Sequence, residues 1–157
     1  MKKSQKLTKF SFGATSSIIT SLALITSFDI NTQAKFGVIA TLLVIAIADN
    51  ISDSLGIHIY QEGENCKIRE VWLSTLTNFL TRFMVTSVFI FLVLIFPPVY
   101  AILFSIFYGF IILTIISYLI ARKRGLSAFH AIAEHIIIAT LVIIVSKYLR
   151  GYLISLF

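Results

Sequence analysis

Charged residues are scarce in this sequence: 13% are Asp, Glu, Lys or Arg, while 58% are hydrophobic. A soluble domain carries about 25% charge, because charged side chains cover much of its surface. The shortage argues against a soluble fold, and the high apolar content excludes a disordered chain. Cysteine is almost absent as well. The single Cys66 rules out an intrachain disulfide framework, and it falls in a loop expected on the cytoplasmic side, where a thiol stays reduced. No nucleotide-binding loop, nucleophile elbow or paired catalytic constellation is visible, so the chain does not read as an enzyme with a permanently bound cofactor. The net charge of +6 comes largely from basic residues that flank apolar runs. No basic face with interleaved aromatics occurs, so nucleic acid is not an expected partner.

What the sequence does have is apolar runs near the about 20 residues that cross a bilayer as a helix. Five can be drawn, over 10–28, 36–60, 73–96, 98–120 and 128–149. They predict an all-α, polytopic, integral membrane protein with a single five-helix transmembrane domain. The only two prolines, Pro97 and Pro98, split a long apolar stretch. Proline lacks an amide donor and clashes with the preceding turn, so a tight hairpin is expected there.

Basic residues orient the spans. Lys2, Lys3, Lys6 and Lys9 precede the first run, Lys67 and Arg69 follow the second, and Arg122, Lys123 and Arg124 follow the fourth. The opposite side receives Lys35, Lys147 and Arg150. Nine against three predicts a cytoplasmic N-terminus and a C-terminus on the far side. A competing reading is a secretory leader cleaved after Ala34, at Thr32-Gln33-Ala34. Ser16, Ser17, Thr20 and Ser21 make its core too polar for that, and the segment reads as a retained first span.

The second run carries acids. Asp49 and Asp53 are four residues apart and project from one helix face, which Ser52, Gly56 and Tyr60 extend, with Asn50 on its shoulder. A carboxylate near mid-membrane costs a few kcal/mol, on the order of 3 on the gentler insertion scale. Two within a turn, without a cation at matching helical spacing, repel unless one is protonated or a metal lies between them. The functional reading is a cation or proton site, with Asp49, Asp53, Ser16, Asn50 and Ser52 as candidate metal ligands. The alternative is a pair near the interface that simply hydrates, since Asp53 is nine residues from Glu62.

In the first span, Phe12-Gly13-Ala14-Thr15-Ser16-Ser17-Ile18-Ile19-Thr20 resembles the pattern FGAT-D-G-[IV]-[IV]-T of the vacuolar iron transporter family. Ala48-Asp49-Asn50-Ile51-Ser52-Asp53, followed by Glu62 and Glu64, resembles that family's A-D-G-F-S-M pattern and its acidic tail. Residues 112–152 are similar to its last hairpin, where a basic turn leads into a helix bearing a glutamate, here Glu134. The resemblance implies a homodimer whose first and second spans line a pathway. It implies transport of a divalent cation, iron or manganese, out of the cytosol in exchange for protons. The membrane would be the cell membrane in a prokaryote and otherwise a vacuolar or organelle membrane. Position by position, Ser16 stands where the family has a metal-binding aspartate, Asp53 stands where it has a metal-binding methionine, and Asp49 keeps an acid found in many members. Oxygen ligands in place of a thioether imply a shift toward harder cations. The acid-rich cytosolic domain of many members is missing, leaving Glu62 and Glu64, with Glu70 and Cys66, as candidate ligands at an entrance.

Three further positions stand out. Arg82 lies deep in the third run and needs a counter-ion, with Glu134, Asp49 and Asp53 all open as partners. His130 and Glu134 share a helix face and are candidates for a proton relay or structural pair, whereas His130 and His135 are five apart, which is wrong for a zinc site. His58 reads as either a titrating or an interfacial residue. The aromatics Tyr100, Phe104, Phe107, Tyr108 and Phe110 read as a lipid-facing or packing surface.

Overall fold

Apolar segments with no water to bond must close their backbone hydrogen bonds internally, and this chain does so as helices. The computed structural model describes residues 3–28 and 32–156. Helix α1 is Lys3–Ser27, α2 is Thr32–Val44, and a π-helical turn, Ile45–Asp49, joins α2 without a break to α3, Asn50–Gly63. Helices α4 (Ile68–Ile95), α5 (Pro98–Arg124) and α6 (Ala128–Leu156) follow. Since α2, the π turn and α3 form one rod, the described residues hold five helices long and apolar enough to cross a membrane, and no strand. This is the expected all-α bundle. Lys2 and the side chains of Lys3, Lys6, Lys9, Thr32 and Gln33 lie outside the described residues.

The helices outrun the apolar runs drawn from the sequence. Helix α4 starts at Ile68 rather than near 73, and α6 continues to Leu156 rather than stopping near 149. Helical hydrogen bonding does not end where hydropathy does. At about 1.5 Å per residue, 28 residues make a rod of about 42 Å, longer than the about 30 Å hydrocarbon core.

Helix ends are closed by the means the sequence supplies. Pro97 and Pro98 make the hairpin, with Pro98 opening α5 where its missing amide is harmless. Gly125 ends α5 at φ 67°, and Leu126 N donates to Ala121 O at 2.9 Å, a Schellman-type stop. On the opposite side, Lys35 Nζ donates to Leu94 O at 2.8 Å and to Phe96 O at 3.2 Å, capping α4. Arg150 likewise donates to Ser27 O at the end of α1 and lies over the Phe28 ring. Two of the three basic residues counted against a cytoplasmic N-terminus thus have helix-capping work.

Small and polar residues face inward. On α5 the buried stripe is Ala101, Ser105, Gly109, Leu113, Ser117 and Ala121, at four-residue spacing. On α4 the buried residues Ser74, Asn78, Arg82 and Thr86 repeat at the same spacing. Helix α1 sits centrally against α4, α5 and α6, with Ala14, Ile18, Leu22 and Ile25 buried. The outer surface is apolar, with Phe36, Trp72, Phe91, Phe107 and Tyr148 all exposed. Such a surface suits contact with a lipid bilayer. The aromatics of α5 divide: Phe107 is exposed, while Tyr108 packs edge-on against Phe89 at 5.1 Å.

Gly13 lets α1 approach α4. A methyl there would meet Asn78 Oδ1 at 2.7 Å and Arg82 Cγ at 3.2 Å. Gly13→Ala is therefore expected to lose about 1–3 kcal/mol by overpacking. Thermal unfolding in detergent checks this, with Gly56→Ala as control because its Cβ meets nothing within 4 Å. Equal melting of the two variants would refute the close approach.

Candidate functional site

The site is built around an arginine that the bilayer would not tolerate alone. Arg82 projects from the inner stripe of α4, and its side chain is only 1% exposed. Its guanidinium has five N–H donors, and four meet acceptors. Nε donates to Asn50 Oδ1 at 2.8 Å, one terminal nitrogen donates to Ser16 Oγ at 2.6 Å and to Asp53 Oδ2, and the other donates to Asp49 Oδ2. Ser16 Oγ lies 3.5 Å from Asp53 Oδ2 and donates to it, so serine and aspartate share one nitrogen of the arginine. Three spans thus converge on one cation. The formal charge of the cluster is −1, from two carboxylates and one guanidinium.

The local backbone explains how the second span delivers three ligands within five residues. Ile45–Asp49 is a π turn, in which Asn50 N donates to Ile45 O, five residues back. A π turn inserts an extra residue into the helical repeat and re-aims the side chains beyond it, and such turns are frequent at functional sites. Nothing in Ile-Ala-Ile-Ala-Asp announces it, since neither glycine nor proline is present. Asn50 locks it: fully buried, it donates from Nδ2 to Ala46 O at 2.7 Å while its Oδ1 accepts from Arg82.

The polar network continues along α4. Ser17 Oγ lies 2.7 Å from Thr86 Oγ1 and 3.2 Å from Arg82 O. Asn78 donates to Ser54 Oγ at 3.1 Å. These buried neighbours were missed by sequence reasoning, although Asn78 and Thr86 lie four residues either side of Arg82. That spacing is the legible signal.

The acids are not sealed in. The side chains of Asp49 and Asp53 are 42% and 35% exposed, against 1% for Arg82. Asp53 opens into a groove of about 550 Å³ between the start of α1, α3 and α4, lined also by Phe12, Ser52, Gly56, Gln61 and Asn78. Ser52 faces this groove rather than Arg82. Gln61 Oε1 and Asn78 Oδ1 are buried without hydrogen-bond partners among the described residues.

Of the residues expected at a metal site, Ser16, Asp49, Asn50 and Asp53 are thus gathered together, but around Arg82. Among the described residues no three His, Cys, Asp or Glu side chains stand where they would hold a metal ion. Glu134 does not pair with Arg82; it is exposed on α6, a helix that packs on α1 and α5. Nor does it pair with His130, whose Nδ1 lies 2.8 Å from Ser127 Oγ at the start of α6. The expected relay or structural pair is therefore replaced by a helix-end contact. His135 crosses instead to Ser117 Oγ at 2.7 Å, joining α6 to α5. Of the entrance candidates, Glu64 is exposed in the loop, and Glu62 lies 3.4 Å from His58 Nε2. His58 Nδ1 is 3.0 Å from Thr75 Oγ1, and its ring meets Trp72 edge-on at 4.7 Å. This makes His58 a tie between α3 and α4.

No protein-family model, curated protein or solved structure matches the chain. The functional reading therefore rests on the geometry of the Arg82 cluster and on the motifs themselves.

Proposed function

We propose that this chain transports cations, with Asp49 and Asp53 as binding carboxylates and Arg82 as an internal cation that occupies them between transport events. The observation that carries the reading is a fully buried guanidinium held between two half-exposed carboxylates, one of which opens into a groove. A purely structural ion pair is best served by burial with every lone pair satisfied. Here the carboxylates keep an open side, where an incoming cation can meet them and compete with the arginine.

Charge counting extends the proposal. One cluster at −1 does not balance a divalent ion, but two clusters facing each other in a homodimer carry −2 and do. The cargo is then a divalent metal of the iron and manganese class. The oxygen-only ligand set, lacking the thioether of the family pattern, favours manganese over iron. Carboxylates released by the departing metal accept protons in exchange, which matches export from the cytosol across the cell membrane, or across a vacuolar or organelle membrane in a eukaryote.

A second reading has its own observation. Arg82 already fills the centre of the site, as it would in a transport-inactive relative serving as a membrane scaffold or partner-binding protein. Flux into reconstituted vesicles separates the two. Manganese flux is expected in the parent, with Asp49→Asn and Asp53→Asn lowering it about tenfold or more, the change produced by losing roughly 1.4 kcal/mol. Equal flux in all three proteins would sink Asp49 and Asp53 as the site, and no flux in the parent would favour the scaffold.

A further inference from the structure

A second groove lies on the other flank of α3, away from the acids, and its chemistry is different. It encloses about 630 Å³ between α3 and α4, and its walls are Ile51, Leu55, Leu73, Leu76 and Phe79. Arg69 stands at its mouth, on the first turn of α4, and Trp72 follows one turn further in. From Arg69 to Phe79 is ten residues, or about 15 Å of helix. That is half of the about 30 Å hydrocarbon core, the depth of a single leaflet. The groove is thus charged at one end, aromatic one turn further along and apolar over the rest of its length.

Charge decides what fits. Among the described residues Arg69 makes no ion pair, and Lys67 lies two residues before it. Of the three acids at this end, Glu62 faces His58, while Glu64 and Glu70 are not among the residues lining the groove. His58 lines the groove wall but is tied to Thr75 and Glu62. The cation at the mouth therefore calls for an anion attached to an acyl chain.

We propose that the α3–α4 groove is a binding site for a glycerophospholipid with an anionic headgroup. The phosphate engages Arg69, the glycerol region lies beside Trp72, and one acyl chain runs inward along Leu55, Leu76 and Phe79. Tryptophan at this depth and arginine at the headgroup level are the placements bilayers favour. The site is separate from the Arg82 cluster and stands whether or not the chain moves cations.

Native mass spectrometry tests it. The full chain in detergent is mixed with equal amounts of phosphatidylglycerol and phosphatidylcholine bearing matched acyl chains. The parent is expected to retain phosphatidylglycerol about fivefold over phosphatidylcholine, the factor one basic residue at a lipid surface contributes. Arg69→Gln should bring the ratio close to one. Arg122→Gln, which removes a basic residue from the α5–α6 end and leaves the groove untouched, should keep the preference. Leu76→Trp, which fills the groove, should reduce retention of both lipids while the protein remains folded by thermal unfolding. Equal retention of the two lipids by the parent would overturn the proposal. So would a preference that survives Arg69→Gln, or one lost equally in Arg122→Gln. If Leu76→Trp splits a dimer and leaves lipid retention unchanged, a second copy covers the groove and the lipid assignment fails.

Discussion

Replacing Arg82 by glutamine is expected to destabilise the protein by about 3 kcal/mol, lowering its melting temperature in detergent by on the order of 10 °C. Removing one partner of a buried ion pair leaves the other charge uncompensated, and such losses run at about 3–5 kcal/mol. The lower end applies because Asp49 and Asp53 are 42% and 35% exposed and keep part of their solvation. Two carboxylates one helical turn apart would face each other with nothing between them. Asn50 would also lose its acceptor role, loosening the hold on the π turn. The cause can be isolated. In the triple variant Arg82→Met, Asp49→Asn, Asp53→Asn, no charge remains, and most of the lost stability should return, as when buried ion pairs are replaced whole. Scanning fluorimetry with size-exclusion profiles measures both. If Arg82→Gln melts like the parent, the cluster holds nothing together; if the triple variant is as weak as the single one, charge repulsion is not the reason.

The five spans were legible because a bilayer demands consecutive apolar residues, and nothing else in a sequence looks the same. The need of Arg82 for a carboxylate was legible for the same reason. Its choice of partner was not, because that depends on how each helix is rotated and which neighbours it meets. Glu134 looked as plausible as Asp53, yet α6 packs on α1 and α5, leaving Glu134 exposed. The stripe Ser74, Asn78, Arg82 and Thr86 was readable at four-residue spacing and would have marked the inner face of α4. The π turn was not readable. It is a backbone adjustment fixed by Asn50 reaching both Ala46 and Arg82, and that second contact exists only once the spans pack. Lys35 and Arg150 had a second role hidden by the first, since a sequence count of basic residues cannot see the carbonyls of Leu94 or Ser27.

Exchanging the residues at 16 and 53 should leave the fold intact, although each change alone damages it. Ser16 Oγ and Asp53 Oδ2 are 3.5 Å apart and contact the same terminal nitrogen of Arg82. An acid at 16 with serine at 53, or the reverse, therefore puts one negative charge in nearly the same place from different spans. Asp53→Ser alone leaves Arg82 with Asp49 only, and Ser16→Asp alone crowds three carboxylates around one guanidinium. The double variant restores the formal charge of −1, and a double-mutant cycle on melting should show coupling of at least about 1 kcal/mol. Strictly additive single effects would mean that the two positions do not share the arginine. Transport can be tested on the same exchange. Ser16→Asp with Asp53→Met installs the residues of the motif this sequence resembles and brings a soft thioether next to the acids, so under the proposed transport role flux in vesicles should shift from manganese toward iron. A variant that folds, carries metal and keeps the parent's preference would show that positions 16 and 53 do not select the ion, and the site would then have to be sought along the groove beyond Asp53.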